Sequence, residues 1–112
     1  MPRDSSVYLE DIVTAAERIA GYIAGYTRES FATDPKTVDA VVRNLEIVGE
    51  AVKQVPADLR AQAPDIEWAK VAGLRDILIH AYFTVDLEIV WDIVTNKLPS
   101  LEQRVRALLG RS

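Results

Sequence analysis

Four side chains able to do chemistry stand within one stretch of eight residues, Arg75-Asp76-Ile77-Leu78-Ile79-His80-Ala81-Tyr82. His80 is the only histidine in the chain. Imidazole titrates near neutral pH, so it can take a proton from a hydroxyl or return one to a leaving oxygen. Arg75 offers a planar fork of N–H donors that matches phosphate. Asp76 and His80 are spaced i,i+4 and share a helix face, where a carboxylate favours the charged imidazole and fixes its ring. Tyr82 adds a hydroxyl on the side of Arg75. Each has a plainer role when taken singly. A lone histidine in a helical protein is usually not catalytic, a lone arginine is more often half of a surface ion pair, and such a tyrosine is more often a half-buried ring with a wet hydroxyl. Together they supply different functions to one reaction. One histidine, no cysteine and scattered carboxylates form no recognisable ligand set, so neither a metal nor a cofactor is expected.

Helices must position these residues, because apolar residues recur at helical spacing and no window alternates as a strand would. The first helix runs from Asp4 to about Gly25, with Ser5 or Ser6 as cap and Gly25 as terminator. Asp34 and Pro35 open a second helix striped by Val38, Val41, Val42, Leu45, Val48, Val52 and Val55, which Pro56 closes. Gly49 inside it costs about 1 kcal/mol relative to alanine, which makes sense where another helix packs closely, and a tolerated defect is the equal alternative. Residues 57–63 form one short helix, and a third long segment runs from Glu67–Trp68 to Phe83. Asp86 caps a last helix in which Pro99 predicts a kink or a break. The fold expected is all-α, an antiparallel four-helix bundle with a short extra helix, in a single domain over residues 1–112.

The segment that carries the chemistry is apolar on both sides. With Arg75 at zero and about 100° per residue, Leu74, Ile77, Leu78 and Ala81 form the expected core arc, and Trp68, Ile79 and Phe83 fall opposite. A small bundle has no second core for that other arc. A homodimer covers it most simply, and partial cover by the last helix or by loops is the alternative. Positions 75 and 80 diverge by about 140°, so they converge on one ligand only across a two-fold axis or through a distorted helix.

The net charge of −4 and a pI near 4.9 disfavour broad adhesion to nucleic acid or anionic lipid. Any nucleic-acid role needs a local basic patch, for which Lys70 and Arg75, extended by Arg104, Arg106 and Arg111, are the candidates. No signal peptide and no apolar run of membrane-spanning length is present, so a cytoplasmic protein without membrane contact is expected.

The string Arg75-x-x-x-x-His80-x-Tyr82 resembles the signature of HepT-like toxins, small members of the HEPN superfamily of ribonucleases. The segment from Arg43 to Ala51 is similar to the helix-two signature of that group. Ile66-Glu67-Trp68 with Ala72-Gly73-Leu74 resembles the approach to the motif, and Phe83-x-Val85-Asp86 with Val90-Trp91 the exit. The resemblance implies a homodimer with a composite cleft and metal-independent endonucleolytic cleavage of RNA by attack of a 2′-hydroxyl. Arg75 and His80 would be catalytic and Asp76 supporting. It implies a type VII-like toxin–antitoxin pair, in which a minimal nucleotidyltransferase antitoxin transfers AMP to Tyr82. This chain departs from many members in having Asp76 where they carry asparagine, and a carboxylate there repels phosphate. Two other readings stand beside the toxin: a non-catalytic nucleotide- or partner-binding module that docks a nucleotidyltransferase, and a structural dimer with no site.

Overall fold

Helix ends in this chain are written in its capping residues. The computed structural model describes residues 5–80 and 86–110, with the backbone alone for Ile79 and His80. Helix α1 spans Ser5–Ile23, and the chain leaves it at Gly25, whose φ of 80° only glycine adopts without strain. Helix α3, Pro35–Gln54, begins as expected: the Asp34 carboxylate accepts from the Thr37 amide, and Pro35 occupies the first turn. The Tyr26 hydroxyl donates to the same carboxylate at 2.5 Å, which ties the end of α1 to the start of α3. After α4, Ala57–Arg60, the Arg60 guanidinium donates back to the carbonyls of Val52 and Val55 and satisfies the end of α3.

A five-residue helix, α2 at Arg28–Ala32, is not foreseen by apolar periodicity, since it buries one side chain, Phe31, against the Trp91 ring. Its signal is a capping box, in which Thr27 and Ser30 each accept from the other's amide. Helix α5 spans Trp68–His80. Helix α6, Leu87–Asp92, is capped by Asp86 as expected and passes into a single π turn, Ile93–Lys97. The break anticipated at Pro99 takes this form. Proline has no N–H for the carbonyl four residues back, so the backbone widens just before it, and Leu98 donates to Ile93 instead. Helix α7 is Leu98–Leu108.

Helix α3 packs between α1 and α5, while α7 lies along α1 and α2 bridges α3 to α6. The described residues are helical or in turns, with no strand. The core runs through Leu9, Ile12 and Ile19 of α1, Val41, Leu45, Val48 and Val52 of α3, Leu78 of α5 and Val105 of α7.

The face that α5 buries matches the expected arc in part: Leu78 is 1% exposed and Leu74 packs against the core, but the buried surface extends to the other side of the helix. Trp68, expected on the outer arc, is only 7% exposed, and its indole N–H donates to the Ala63 carbonyl at 3.0 Å. Ile77, expected in the core, is 58% exposed. Arg75 stands against Gly49 of α3, and the buried side of α5 runs from Leu78 across to Trp68. A helix apolar on nearly every side carries no internal signal for which arc turns in; the shape of its neighbours decides. Ile79 and Phe83, the other members of the expected outer arc, and Ala81 of the inner one, lie outside the described side chains.

Candidate functional site

Gly49 places the site. A Cβ there would lie 2.5 Å from the Arg75 Cβ and 3.0 Å from its backbone nitrogen. Only a residue without a side chain lets α5 approach this closely. The cost of glycine in the interior of α3 is thus offset by contact between helices, the first of the two readings the sequence left open. The approach pins the Arg75 backbone to α3, and its side chain runs out along the helix pair with about one third of it exposed.

The Arg75 guanidinium is held at two points. Its Nε lies 3.1 Å from Glu50 Oε2, and an outer nitrogen lies 3.3 Å from Asp76 Oδ1. The same Asp76 oxygen accepts from Lys53 Nζ at 2.8 Å. Glu50 and Lys53 are one turn apart on α3, so two residues of each helix interlock across the Gly49 contact. The Lys53 ammonium, and after it the Arg75 guanidinium, hold the Asp76 carboxyl below its ordinary value, so it is ionised at neutral pH. Asp76 was expected to orient His80; its partners among the described side chains are Lys53 and Arg75. Glu50 lies within the segment that resembles the helix-two signature and Lys53 just beyond it, and sequence reasoning gave neither a role.

Helix α5 is unbroken from Trp68 to His80, so positions 75 and 80 stay about 140° apart around its axis. The distortion that would have brought them together within one chain is absent from this segment. His80 is its last residue; its side chain, and the whole of Tyr82, lie outside the described residues.

A cleft of about 380 Å³ opens beside Arg75 between α1, α3 and α5, its wall carrying Asp11, Arg43, Glu46 and Glu50. The local basic patch sought in the sequence does not gather there. Lys70 pairs with Glu67 at 2.7 Å, Arg104 grips Asp65 through two nitrogens at 2.8 and 3.0 Å, and Arg106 pairs with Glu17 and Glu102. Arg111 lies outside the described residues. Carboxylates nearer in the fold than the cleft take up these cations. A second groove, of about 550 Å³, separates α5 from α6 and α7. Leu45 and Val48 of α3 reach it from beneath, and Val71, Leu74, Ile93 and Leu101 line its walls.

The profile of the family described as "Ribonuclease HepT-like" matches residues 12–108. The chain belongs to this family. It is 40% identical over 104 residues to "Putative RNase TTE0752" of Caldanaerobacter subterraneus subsp. tengcongensis, covering 93% of each chain. To "Probable ribonuclease HepT" of Thermococcus cleftensis it is 44% identical over 108 residues, 96% of this chain and 98% of the relative. It is also 44% identical to "Putative RNase MJ0127" of Methanocaldococcus jannaschii over 101 residues, 89% of this chain and 84% of the relative. No solved structure matches. The HepT-like resemblance read from the Arg-His-Tyr string therefore holds over nearly the whole chain.

Proposed function

We propose that this protein is a metal-independent endoribonuclease that acts as a homodimer of four-helix bundles, with Arg75 and His80 of both chains lining one cleft. The observation that carries this reading is the divergence of positions 75 and 80 by about 140° on a straight helix, with Arg75 held by Glu50 and Asp76 at the edge of a cleft. One chain has one histidine, whereas cleavage needs a base for the attacking hydroxyl and an acid for the leaving oxygen. Two chains supply two. The ribose 2′-oxygen attacks the adjacent phosphorus and the bond to the 5′-oxygen breaks. One imidazole takes the hydroxyl proton and the other gives a proton to the departing oxygen, leaving a 2′,3′-cyclic phosphate and a 5′-hydroxyl. Arg75 stabilises the charge that gathers on the phosphorane oxygens. Ile77 and Ile89, both 58% exposed, supply apolar surface for pairing.

In this reading the activity is toxic in the cytoplasm and is held in check by a nucleotidyltransferase. The Tyr82 hydroxyl attacks the α-phosphorus of ATP, pyrophosphate leaves, and the AMP so attached fills the cleft and competes for Arg75. The test is growth and RNA integrity on expression of wild type and of His80→Ala, with purified protein free of AMP. Cleavage to cyclic-phosphate ends by wild type alone is expected. Intact RNA with both proteins sinks the ribonuclease reading and leaves the non-catalytic docking module. Intact mass after incubation with ATP and the neighbouring nucleotidyltransferase reports on Tyr82, and absence of an AMP adduct refutes that part.

A further inference from the structure

The tie between Lys53 and Asp76 has the form of an occupied anion site. Lys53 comes from the last turn of α3 and Arg75 from α5, yet their nitrogens meet on one oxygen, Asp76 Oδ1, at 2.8 and 3.3 Å. An ammonium and a guanidinium converging on a single anionic oxygen is the arrangement that binds a non-bridging phosphate oxygen. The fork is already held, because Glu50 takes Arg75 by its Nε while Nη1 reaches the Asp76 oxygen that Lys53 also contacts. Asp76 is half exposed, and its short side chain can turn out to water without disturbing the core. Lys53 otherwise reads as a basic residue placed favourably at a helix C-terminus. That role needs no partner on the neighbouring helix.

We propose that Lys53 is a second phosphate-binding residue of the Arg75 site, and that the Asp76 carboxylate occupies the phosphate position until RNA displaces it. The inference rests on the ribonuclease reading and adds to it a residue and a built-in competitor. It accounts for an acidic residue beside the arginine of an RNA-cleaving site: Asp76 keeps two close cations from repelling each other while the site is empty. Affinity is lowered by the work of removing it.

The experiment measures binding of a fluorescently labelled 2′-O-methyl oligoribonucleotide, which lacks the attacking hydroxyl, by anisotropy across a salt series. Lys53→Gln is expected to weaken binding several-fold and to reduce the slope of log affinity against log salt by about 0.7, the loss of one single-strand phosphate contact. Asp76→Asn is expected to tighten binding several-fold, although it loses an interhelical tie and lowers the melting temperature. Charge-matched controls come from α2, which adjoins the start of α3, about 27 Å along that helix from Lys53. Arg28→Gln and Glu29→Gln are expected to change binding much less than Lys53→Gln and Asp76→Asn respectively. If Asp76→Asn binds no tighter than Glu29→Gln, or Lys53→Gln keeps the wild-type slope, the pair is only a structural tie and the proposal is overturned. RNA cleavage by wild type, measured beside these, separates the two failures. Cleavage with an unchanged Lys53→Gln slope overturns this inference alone, and neither cleavage nor binding overturns both readings.

Discussion

Replacing Gly49 by alanine pits a local preference against a tertiary contact, and the structure says which wins. Locally, alanine in the middle of α3 is worth about 1 kcal/mol over glycine. Against it stands a new Cβ 2.5 Å from the Arg75 Cβ, 3.0 Å from its nitrogen and 3.2 Å from its Cα. These atoms belong to the body of α5 and cannot turn aside as a side-chain tip could. Carbon atoms rest at about 3.5 Å or more, so α5 must retreat by about 1 Å. Overpacking of this kind costs about 1–3 kcal/mol. The net expectation is destabilisation by about 1 kcal/mol, read as a fall of ~5 °C in the midpoint of a thermal melt. Gly21→Ala is the control, because nothing lies within 4 Å of the place its new methyl group would take, and the melt is expected to hold or rise. Since Arg75 moves with α5, Gly49→Ala is also expected to lower RNA cleavage by about a hundredfold, the scale of a 1 Å misplacement at a reacting group. A Gly49→Ala protein that melts higher than wild type and keeps its activity would refute the close approach of α3 and α5.

Trp68 joins the loop before α5 to the core, so Trp68→Ala is expected to cost about 3–5 kcal/mol in chemical denaturation. Trp68→Phe is expected to cost about 1–3 kcal/mol, because the Ala63 carbonyl loses its indole donor. Asn44 is buried, with its amide nitrogen donating to Ala40 while its Oδ1 has no partner among the described residues. Asn44→Leu removes that desolvated oxygen and is expected to stabilise the fold by about 1 kcal/mol; a lower melting midpoint would contradict the assignment. Among the described residues, five carboxyls are held below their ordinary value: Asp34 chiefly by the Tyr26 hydroxyl, Asp65 by Arg104, Asp76 by Lys53, Glu67 by Lys70 and Glu29 by a backbone amide. The unfolded chain then binds protons more readily than the folded one. The stability these groups contribute is complete above the ordinary carboxylate range and is lost as pH falls through their folded values. Melting midpoints measured from neutral pH downward should therefore fall on the acid side, and Asp65→Asn should flatten that fall while lowering the midpoint at neutral pH.

Much of this protein was legible as local chemistry. Asp34 and Asp86 mark helix starts by accepting from amides two or three residues away, Pro35 by its fixed φ and missing N–H, and Gly25 ends α1 through its own φ. Such interactions are complete within a few residues, so spacing alone reveals them. The same holds for family membership, since the arginine, histidine and tyrosine at 75, 80 and 82 form a pattern in one dimension. Helix α2 was equally local, but its capping box is polar and lies outside an apolar periodicity.

The orientation of α5 belongs to the tertiary structure. Its sequence is apolar nearly all round, so the energy of burying one arc or another differs little until a neighbour's shape is present. Gly49 supplies part of that shape: 26 positions from Arg75 in the chain, it leaves room for the body of α5 at Arg75. With α5 seated there, Trp68 is buried, Ile77 is exposed, and Glu50 and Lys53 meet Arg75 and Asp76. The distribution of the other cations was decided in the same way. Arg104 and Arg106 could have served any acidic surface, and only the packing of α7 set them against Asp65 and Glu17, because ion pairs between distant segments depend on distance in space.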